Sequence, residues 1–185
     1  MKNNPLQILQ TLDRHLVEPF ELYVYGRSAL ALGYAEERVN FQSTMDVDAI
    51  LPARDIKAIE QNEDFWQAQM KTNEELGSSG LYFTHLFEDR QVILTPDWLE
   101  RVVALSAFRF AKLHMFRPST VDLILTKMMR VDPDDREDIK FLASQPDFRK
   151  EELLGALKRA MVPPVQELYE AFEKNRVWLS QSLGL

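Results

Sequence analysis

Apolar side chains recur at helical or strand spacing along most of the chain, and their order predicts an α/β fold. Behind Asn4-Pro5, apolar residues from Ile8 to Leu16 share one helical face, which predicts a first helix ending near residue 15 or 17. The β-prone run 21–25 ends at Gly26, and residues 27–32 return to helical composition. The chain therefore opens with a helix, followed by a strand, a tight turn and a second helix.

The same patterns predict a sheet that is completed before residue 118. Residues 54–76 form a helical region with a break near Asn62, and the runs 81–87 and 91–94 are typical of a hairpin. The segment 108–116 predicts a last strand. Helices are then predicted from residue 119 or 120 through 129, from 133, over 149–161 and over 164–182. We expect a small mixed sheet flanked by helices (1–118) and a C-terminal helical bundle packed on it (119–185).

Composition narrows the classes of protein to consider. A chain of 185 residues with 45% hydrophobic content is long enough for one sizeable core. The net charge of -7 argues against binding of nucleic acid by bulk electrostatics alone. The absence of cysteine excludes disulfides, thiolate metal sites and cysteine nucleophiles. Because no signal peptide or apolar run of membrane-spanning length is present, we expect a soluble cytoplasmic protein without membrane association.

Two acids interrupt the apolar strand predicted at 43–51. Asp46 and Asp48 are one residue apart, so in a strand they lie on one face with backbones about 6.6 Å apart. Carboxylates at that separation repel each other, and a divalent cation such as Mg²⁺ would neutralise them through oxygen ligands. The alternative is a strand end whose acids simply reach solvent.

The acids follow a strand, a glycine turn and a helix start, which is an order suited to phosphate chemistry. A glycine turn lets backbone N–H groups approach a triphosphate, and the helix dipole favours the negative charge. The segments Gly26-Arg27-Ser28 and Thr44-Met45-Asp46-Val47-Asp48 resemble the signature of the nucleotidyltransferase fold superfamily. The segment 122–139 further resembles bacterial nucleotidyltransferase-like proteins related to abortive-infection toxins and to the minimal nucleotidyltransferases of toxin-antitoxin pairs.

The resemblance implies an activity and a set of site residues. Such enzymes bind a nucleoside triphosphate with Mg²⁺, or Mn²⁺, and transfer the nucleotide to a hydroxyl of RNA, protein or a small molecule. Asp46 and Asp48 would be catalytic metal ligands. The turn residues Gly26, Arg27 and Ser28 would contact the nucleotide, as would Thr44.

Two basic residues of a later helix are further candidates for nucleotide binding. Lys127 and Arg130 are three residues apart, so they share a helix face and would reach the triphosphate or the backbone of a partner. The alternative is an ion-pair network with Asp122, Asp135 or Asp138.

The chain also departs from the superfamily pattern. Arg27 replaces a second glycine, and Gln42 stands where relatives tend to carry arginine, for which Arg38 is a possible substitute. The third carboxylate, often the general base, usually lies within a later strand, but the run 91–94 contains no acid. We expect the third catalytic acid, if present, at the edge of that strand. The candidates there are Glu88, Asp97 and above all Asp89.

An incomplete set of acids leaves a second function open. The chain would then be a catalytically impaired relative that serves as a nucleotide-binding or protein-interaction module, for instance as one half of a toxin-antitoxin pair. An apolar stripe on the last helix, within 167–183, either packs on the domain or serves a homodimer. The three histidines, His15, His85 and His114, lack metal-ligand spacing and are interpreted as surface or packing residues.

Overall fold

The computed structural model describes residues 3–36 and 38–184, which fall into two compact units. The first unit contains the described residues up to Glu88 together with Val103–Arg117, and the second contains Asp89–Val102 and the chain from Pro118 onward. The helices of the first unit are α1 (Asn4–His15), α2 (Gly26–Gly33), α3 (Val39–Gln42), α4 (Ile56–Glu60) and α5 (Glu63–Leu76). The predicted regions 1–118 and 119–185 stay predictions as folding domains.

A five-stranded mixed sheet forms the centre of the first unit. Its strands are β1 (Phe20–Tyr25), β2 (Asp46–Leu51), β3 (Tyr82–Glu88), β4 (Val103–Ala104) and β5 (Leu113–Arg117). They are arranged in the order β3-β2-β1-β5-β4. The β1–β2 and β4–β5 pairs are antiparallel, whereas the β2–β3 and β1–β5 pairs are parallel. The predicted small mixed sheet flanked by helices is therefore confirmed.

The core of the first unit follows from the alternation of side chains in the strands. Val47 and Ala49 of β2 are fully buried, while the acids between and beside them are partly exposed on the opposite face. Helix α1 packs against α5 and β2. The Phe20 ring stacks on Phe65 at 4.2 Å between centroids, and Phe83 meets Phe65 edge-on at 6.2 Å. Each fully buried side chain of this size contributes roughly 1.5–3 kcal/mol of transfer free energy.

A half-buried carboxylate joins α1 to the start of β5. Asp13 accepts hydrogen bonds from the backbone N–H groups of Ala111, Lys112 and Leu113 at 2.9, 2.7 and 2.9 Å. These N–H groups precede or begin β5 and would otherwise need another acceptor, because β5 pairs with β1 only from Leu113 onward. Asp13 therefore positions the strand that covers one edge of β1.

Four helices make up most of the second unit. They are α6 (Thr120–Lys127), α7 (Pro133–Ala143), α8 (Lys150–Arg159) and α9 (Gln166–Leu183). Helix α6 packs against α7 and α8, and Ser119 and Asp132 cap α6 and α7 with their side chains. Across the part of the chain that is described, none of the helices combines the length and the apolar character that crossing a membrane requires.

The predicted hairpin of residues 81–87 and 91–94 is wrong in its second half. The first run forms β3, but Asp89–Gln91 is a 3₁₀ turn and Leu94 makes an isolated bridge with Met161 in the second unit. The apolar run reflects burial rather than a strand, since the structure buries the side chains of Val92, Ile93 and Leu94. Within the same unit, buried Asp122 accepts hydrogen bonds from the Thr95 backbone N–H at 2.9 Å and from Arg101 at 2.8 Å. These contacts join Asp89–Val102 to α6.

Candidate functional site

The acid pair, Asp46 and Asp48 of β2, lies beside an imidazole from β3. His85 Nδ1 is 3.0 Å from Asp48 Oδ1 and 3.2 Å from Asp46 Oδ2. One ligand atom from each of these three side chains lies within 4.8 Å of the other two. The His85 side chain is 51% exposed, so solvent and small ligands reach the cluster. Two anionic oxygens and one ring nitrogen thus converge at an open place on the sheet.

An irregularity in β3 brings His85 to this position. Asp46 of β2 pairs with Tyr82 of β3, and Asp48 pairs with His85. An advance of two residues along β2 therefore corresponds to an advance of three residues along β3. A regular parallel ladder would have placed Thr84 opposite Asp48. The extra residue in β3 therefore shifts the register by one and sets His85 against the acid pair.

Two hydroxyl groups fix the first acid and its strand. Thr44 Oγ1 donates to Asp46 Oδ1 at 3.0 Å, while His85 contacts the other oxygen of the same carboxylate. Ser28 Oγ donates to the backbone carbonyl of Asp46 at 3.0 Å, and Ser28 is buried. The nucleotide contacts predicted for Thr44 and Ser28 stay predictions; in the structure both hydroxyl groups orient Asp46.

The start of α2 approaches the second acid so closely that only glycine fits. Gly26 has φ +63°, and a Cβ placed on it would lie 2.6 Å from Asp48 Oδ2. Tyr25, the N-cap residue, gives no side-chain hydrogen bond to the first N–H groups of α2. A helix N-terminus favours negative charge, so the Asp48 carboxylate lies in a favourable position there. The structure thus brings the glycine turn close to Asp48; a role of either in nucleotide binding stays a prediction.

Replacing Gly26 by alanine is expected to disturb the site far more than the fold. The left-handed backbone costs a non-glycine residue about 1–2 kcal/mol, and the new methyl group displaces the Asp48 carboxylate. Misplacement of a reacting group by about 1 Å lowers rates about 10²-fold. We therefore expect a loss of that order in label incorporation from an α-labelled triphosphate, which assays the transfer activity that the resemblance implies. The modest drop in stability is measured by thermal unfolding.

Gly155 provides the matched control for this substitution. It lies within α8, and a Cβ added there meets no atom within 4 Å. Gly155→Ala should leave transfer unchanged and raise helix stability by about 0.5–1 kcal/mol. Full transfer activity in Gly26→Ala would contradict the role given to the glycine turn.

The arginines near the turn occupy different surroundings. Arg27 is the second residue of α2 and is half-buried, and its predicted contact with the nucleotide stays a prediction. Arg38 donates from Nε to the Glu36 carboxylate at 2.8 Å. Gln42 is buried at the end of α3.

Lys127 and Arg130 take part in an ion-pair network of the second unit, which is the alternative that the sequence left open. Lys127 Nζ lies 2.9 Å from Asp135 Oδ1 and 2.7 Å from Asp138 Oδ2, and all three side chains are buried. Arg130 Nε also donates to Asp135. Burial alone would raise the pKa of Asp135, but the hydrogen bond from Arg130 and the Lys127 charge outweigh it and hold that pKa below its usual value. Nucleotide contacts by Lys127 and Arg130 stay predictions.

Asp89 and Asp97, two of the three acids predicted at the edge of the later strand, have local partners. Glu88 ends β3 in the first unit. Asp89 belongs to the second unit and accepts a hydrogen bond from Trp98 Nε1 at 3.4 Å, and Asp97 pairs with Arg159 at 3.0 Å. The catalytic role given to Asp89 stays a prediction. Among the described residues of the first unit, the metal-competent cluster consists of the acid pair and His85, without a third carboxylate.

His85 is the site residue that sequence reasoning missed. The sequence predicts a surface or packing residue, because no second histidine lies at metal-ligand spacing, yet the structure places it against two carboxylates. The sequence contains one signal that points to His85. Two strands joined by a helix commonly pair in parallel, and this would place the predicted strand 81–87 beside the strand that carries the acid pair. The shift in register that selects His85 rather than Thr84 carries no such signal.

A mixed sheet that places an Asp-x-Asp pair beside a glycine-initiated helix defines a nucleotidyltransferase-like class of protein. The chain belongs to the family described as "Nucleotidyltransferase of unknown function (DUF6036)", whose model matches residues 6–179. The predicted superfamily is thereby confirmed. Searches of curated proteins and of solved structures found no match.

Proposed function

We propose that this chain is a divalent-metal-dependent nucleotidyltransferase that moves a nucleotide from a nucleoside triphosphate to a hydroxyl group of RNA, protein or a small molecule. The observation that carries the proposal is the contact between the start of α2 and the acid pair. A Cβ at Gly26 would overlap Asp48, so a phosphate-binding helix end and a cation-binding carboxylate occupy one place.

The residues present fit a divalent cation. Asp46 and Asp48 offer carboxylate oxygens, and Thr44 and Ser28 hold Asp46 in position from two sides. When bound, the cation would neutralise charge on the phosphate oxygens and on the departing pyrophosphate. Preorganised ligands of this kind lower the barrier because they need no rearrangement as charge develops.

The roles of the other residues follow from position. The first N–H groups of α2 would donate hydrogen bonds to oxygens of the triphosphate. Gly26 has no side chain that would obstruct the approach of the phosphates to these groups. In the transfer step the acceptor hydroxyl oxygen bonds to the α-phosphorus and releases its proton to solvent water. The bond from that phosphorus to the oxygen that bridges to the β-phosphate breaks, and pyrophosphate leaves with that electron pair. Arg27, half-buried next to the glycine, would contact the phosphates.

One observation favours a second candidate function. Among the described residues, the cluster consists of the acid pair and His85 and includes no third carboxylate. A relative that has lost the general base would bind nucleotide without transferring it and would act through a protein partner, as in toxin-antitoxin pairs. Transfer of label separates the two functions.

The position of the radioactive label in the triphosphate gives the sharpest test. The purified chain is incubated with each of the four ribonucleoside triphosphates, Mg²⁺ or Mn²⁺, and a total RNA or lysate pool. We expect α-phosphate label to enter the acceptor fraction and γ-phosphate label to leave as pyrophosphate. Sensitivity of the labelled product to ribonuclease or protease then identifies the class of acceptor.

A protein purified in parallel with Asp46→Asn and Asp48→Asn controls for contaminating enzymes and should leave the label in free nucleotide. Transfer of γ-label would indicate a phosphotransferase and overturn the proposal. Metal-dependent nucleotide binding without any transfer would favour the second candidate function.

A further inference from the structure

The donor atoms of the cluster are not those of an all-oxygen magnesium site. Two carboxylate oxygens come from β2, and the third donor, His85 Nδ1, is a ring nitrogen. Mg²⁺ binds through oxygen and water, whereas imidazole nitrogen suits later first-row transition-metal ions such as Co²⁺ and Zn²⁺. The chemistry of the donors therefore bears on which cation the site selects.

The distances between the donors fit coordination as well as hydrogen bonding. Nδ1 lies 3.0 and 3.2 Å from the two carboxylate oxygens. All three ligand atoms lie within 4.8 Å of one another, a spacing compatible with the binding of one ion by all three side chains.

The backbone, rather than a flexible side chain, sets the position of the nitrogen. The register shift in β3 makes His85 the partner of Asp48, and the Phe87 ring lies 6.3 Å from the imidazole on the same strand. Thr44 fixes Asp46 from the other side. Ligand side chains that are held in place before the metal arrives lose little conformational entropy when it binds.

We propose that His85 is a third metal ligand through Nδ1, and that it shifts the preference of the site from Mg²⁺ toward first-row transition-metal ions. The neutral ring then carries its proton on Nε2. Because the imidazole is half exposed, water can hydrogen-bond to that N–H. The inference rests on the proposed function, since it concerns the cation of the same site.

The experiment measures metal binding directly and needs no turnover. The chain is stripped with a chelator and titrated with Mn²⁺, Co²⁺ or Mg²⁺ by calorimetry, with and without a non-hydrolysable ATP analogue. Electron spin-echo spectroscopy of bound Mn²⁺ then reports whether nitrogen is coordinated. The native chain is expected to show nitrogen coupling and to bind Co²⁺ at least 10-fold more tightly, relative to Mg²⁺, than His85→Asp, on the order of known ligand-shell effects.

Three variants complete the design. His85→Ala should lose the nitrogen coupling, and His85→Asp should gain affinity for Mg²⁺. His114→Ala removes an exposed histidine of β5 and should change neither quantity. Thermal unfolding checks that all three variants fold, which is expected because both histidines are exposed or half exposed.

Two results would overturn the inference. If Mn²⁺ binds without nitrogen coupling, His85 is a hydrogen-bond donor and not a metal ligand. If no metal binds either with or without the ATP analogue, the cluster is not a metal site. The failures are distinguishable from failure of the proposed function. Nitrogen coupling without label transfer would refute only the transfer activity, and label transfer without nitrogen coupling would refute only the role of His85.

Discussion

Neutralising either acid of the pair, as Asp46→Asn or Asp48→Asn, is expected to lower nucleotide transfer by about 10²–10³-fold, the usual cost of removing one preorganised electrostatic contact. Asparagine keeps the size of aspartate and an oxygen that accepts from Thr44, so the local geometry is retained. What disappears is one negative charge of the two that would bind the cation. Initial rates of α-label incorporation measure the effect.

Stability separates this loss from misfolding. Two carboxylates within 4.8 Å repel each other in the absence of metal, so each asparagine variant should unfold at the same temperature as the native chain or slightly higher. Asp55→Asn is the matched control, because its carboxylate pairs with Arg54 at 3.2 Å on the same unit and touches no site residue. Equal incorporation by the Asp46, Asp48 and Asp55 variants would refute the site.

Replacing Lys127 by alanine is expected to destabilise the second unit by about 3–5 kcal/mol, the typical cost of removing one member of a buried charge pair. Lys127 is 8% exposed, and its ammonium group pairs with both Asp135 and Asp138. Without it the Asp138 carboxylate, 1% exposed, loses a cationic partner at 2.7 Å. Arg130 would still compensate Asp135 in part.

Tryptophan fluorescence measures the stability of the second unit separately. Of the three tryptophans, Trp98 and Trp178 belong to the second unit, so a Trp66→Phe background reports unfolding of that unit in urea. Lys140→Ala is the control, since its exposed pair with Glu137 on α7 should contribute less than about 1 kcal/mol. Equal midpoints for the two lysine variants would show that the buried network contributes no more than a surface pair.

Acid titration of the same background should reveal the contribution of Asp135. Its pKa is lowered in the folded chain, because the hydrogen bond from Arg130 and the Lys127 charge outweigh burial. The ionised group therefore adds stability above its unfolded pKa of about 3.9, and that stability is lost as pH falls through the lower folded pKa. The stability difference between the native chain and Asp135→Asn should shrink from pH 7 toward pH 3. A constant difference would contradict the network.

Local signals were sufficient to predict most of the first unit. A proline in the first turn and an apolar face predicted α1, and the glycine at the end of a β-prone run predicted the turn from β1 into α2. The break at Asn62 was also visible, because an asparagine side chain that accepts from Phe65 N caps α5. Each of these features is determined by residues that are close together in the sequence, so a local sequence pattern is enough to predict it.

Two features depend on tertiary contacts and escaped prediction. The run 91–94 looks like a strand, but its side chains are buried in the second unit, and an apolar run cannot indicate what covers it. The third member of the site depends on a register shift of one residue between β2 and β3. Register is set by pairing between strands, so the sequence alone did not single out His85.

The central strand also constrains the order of events during synthesis. β1 pairs with β2, about 25 residues later, and with β5, whose partner residues begin only at Leu113. On the ribosome the hydrogen-bonding groups along one edge of β1 therefore wait for more than 85 residues to be added before their strand partner exists. Until then that edge can pair with another nascent chain, a hazard that slow elongation between residues 50 and 113 would prolong.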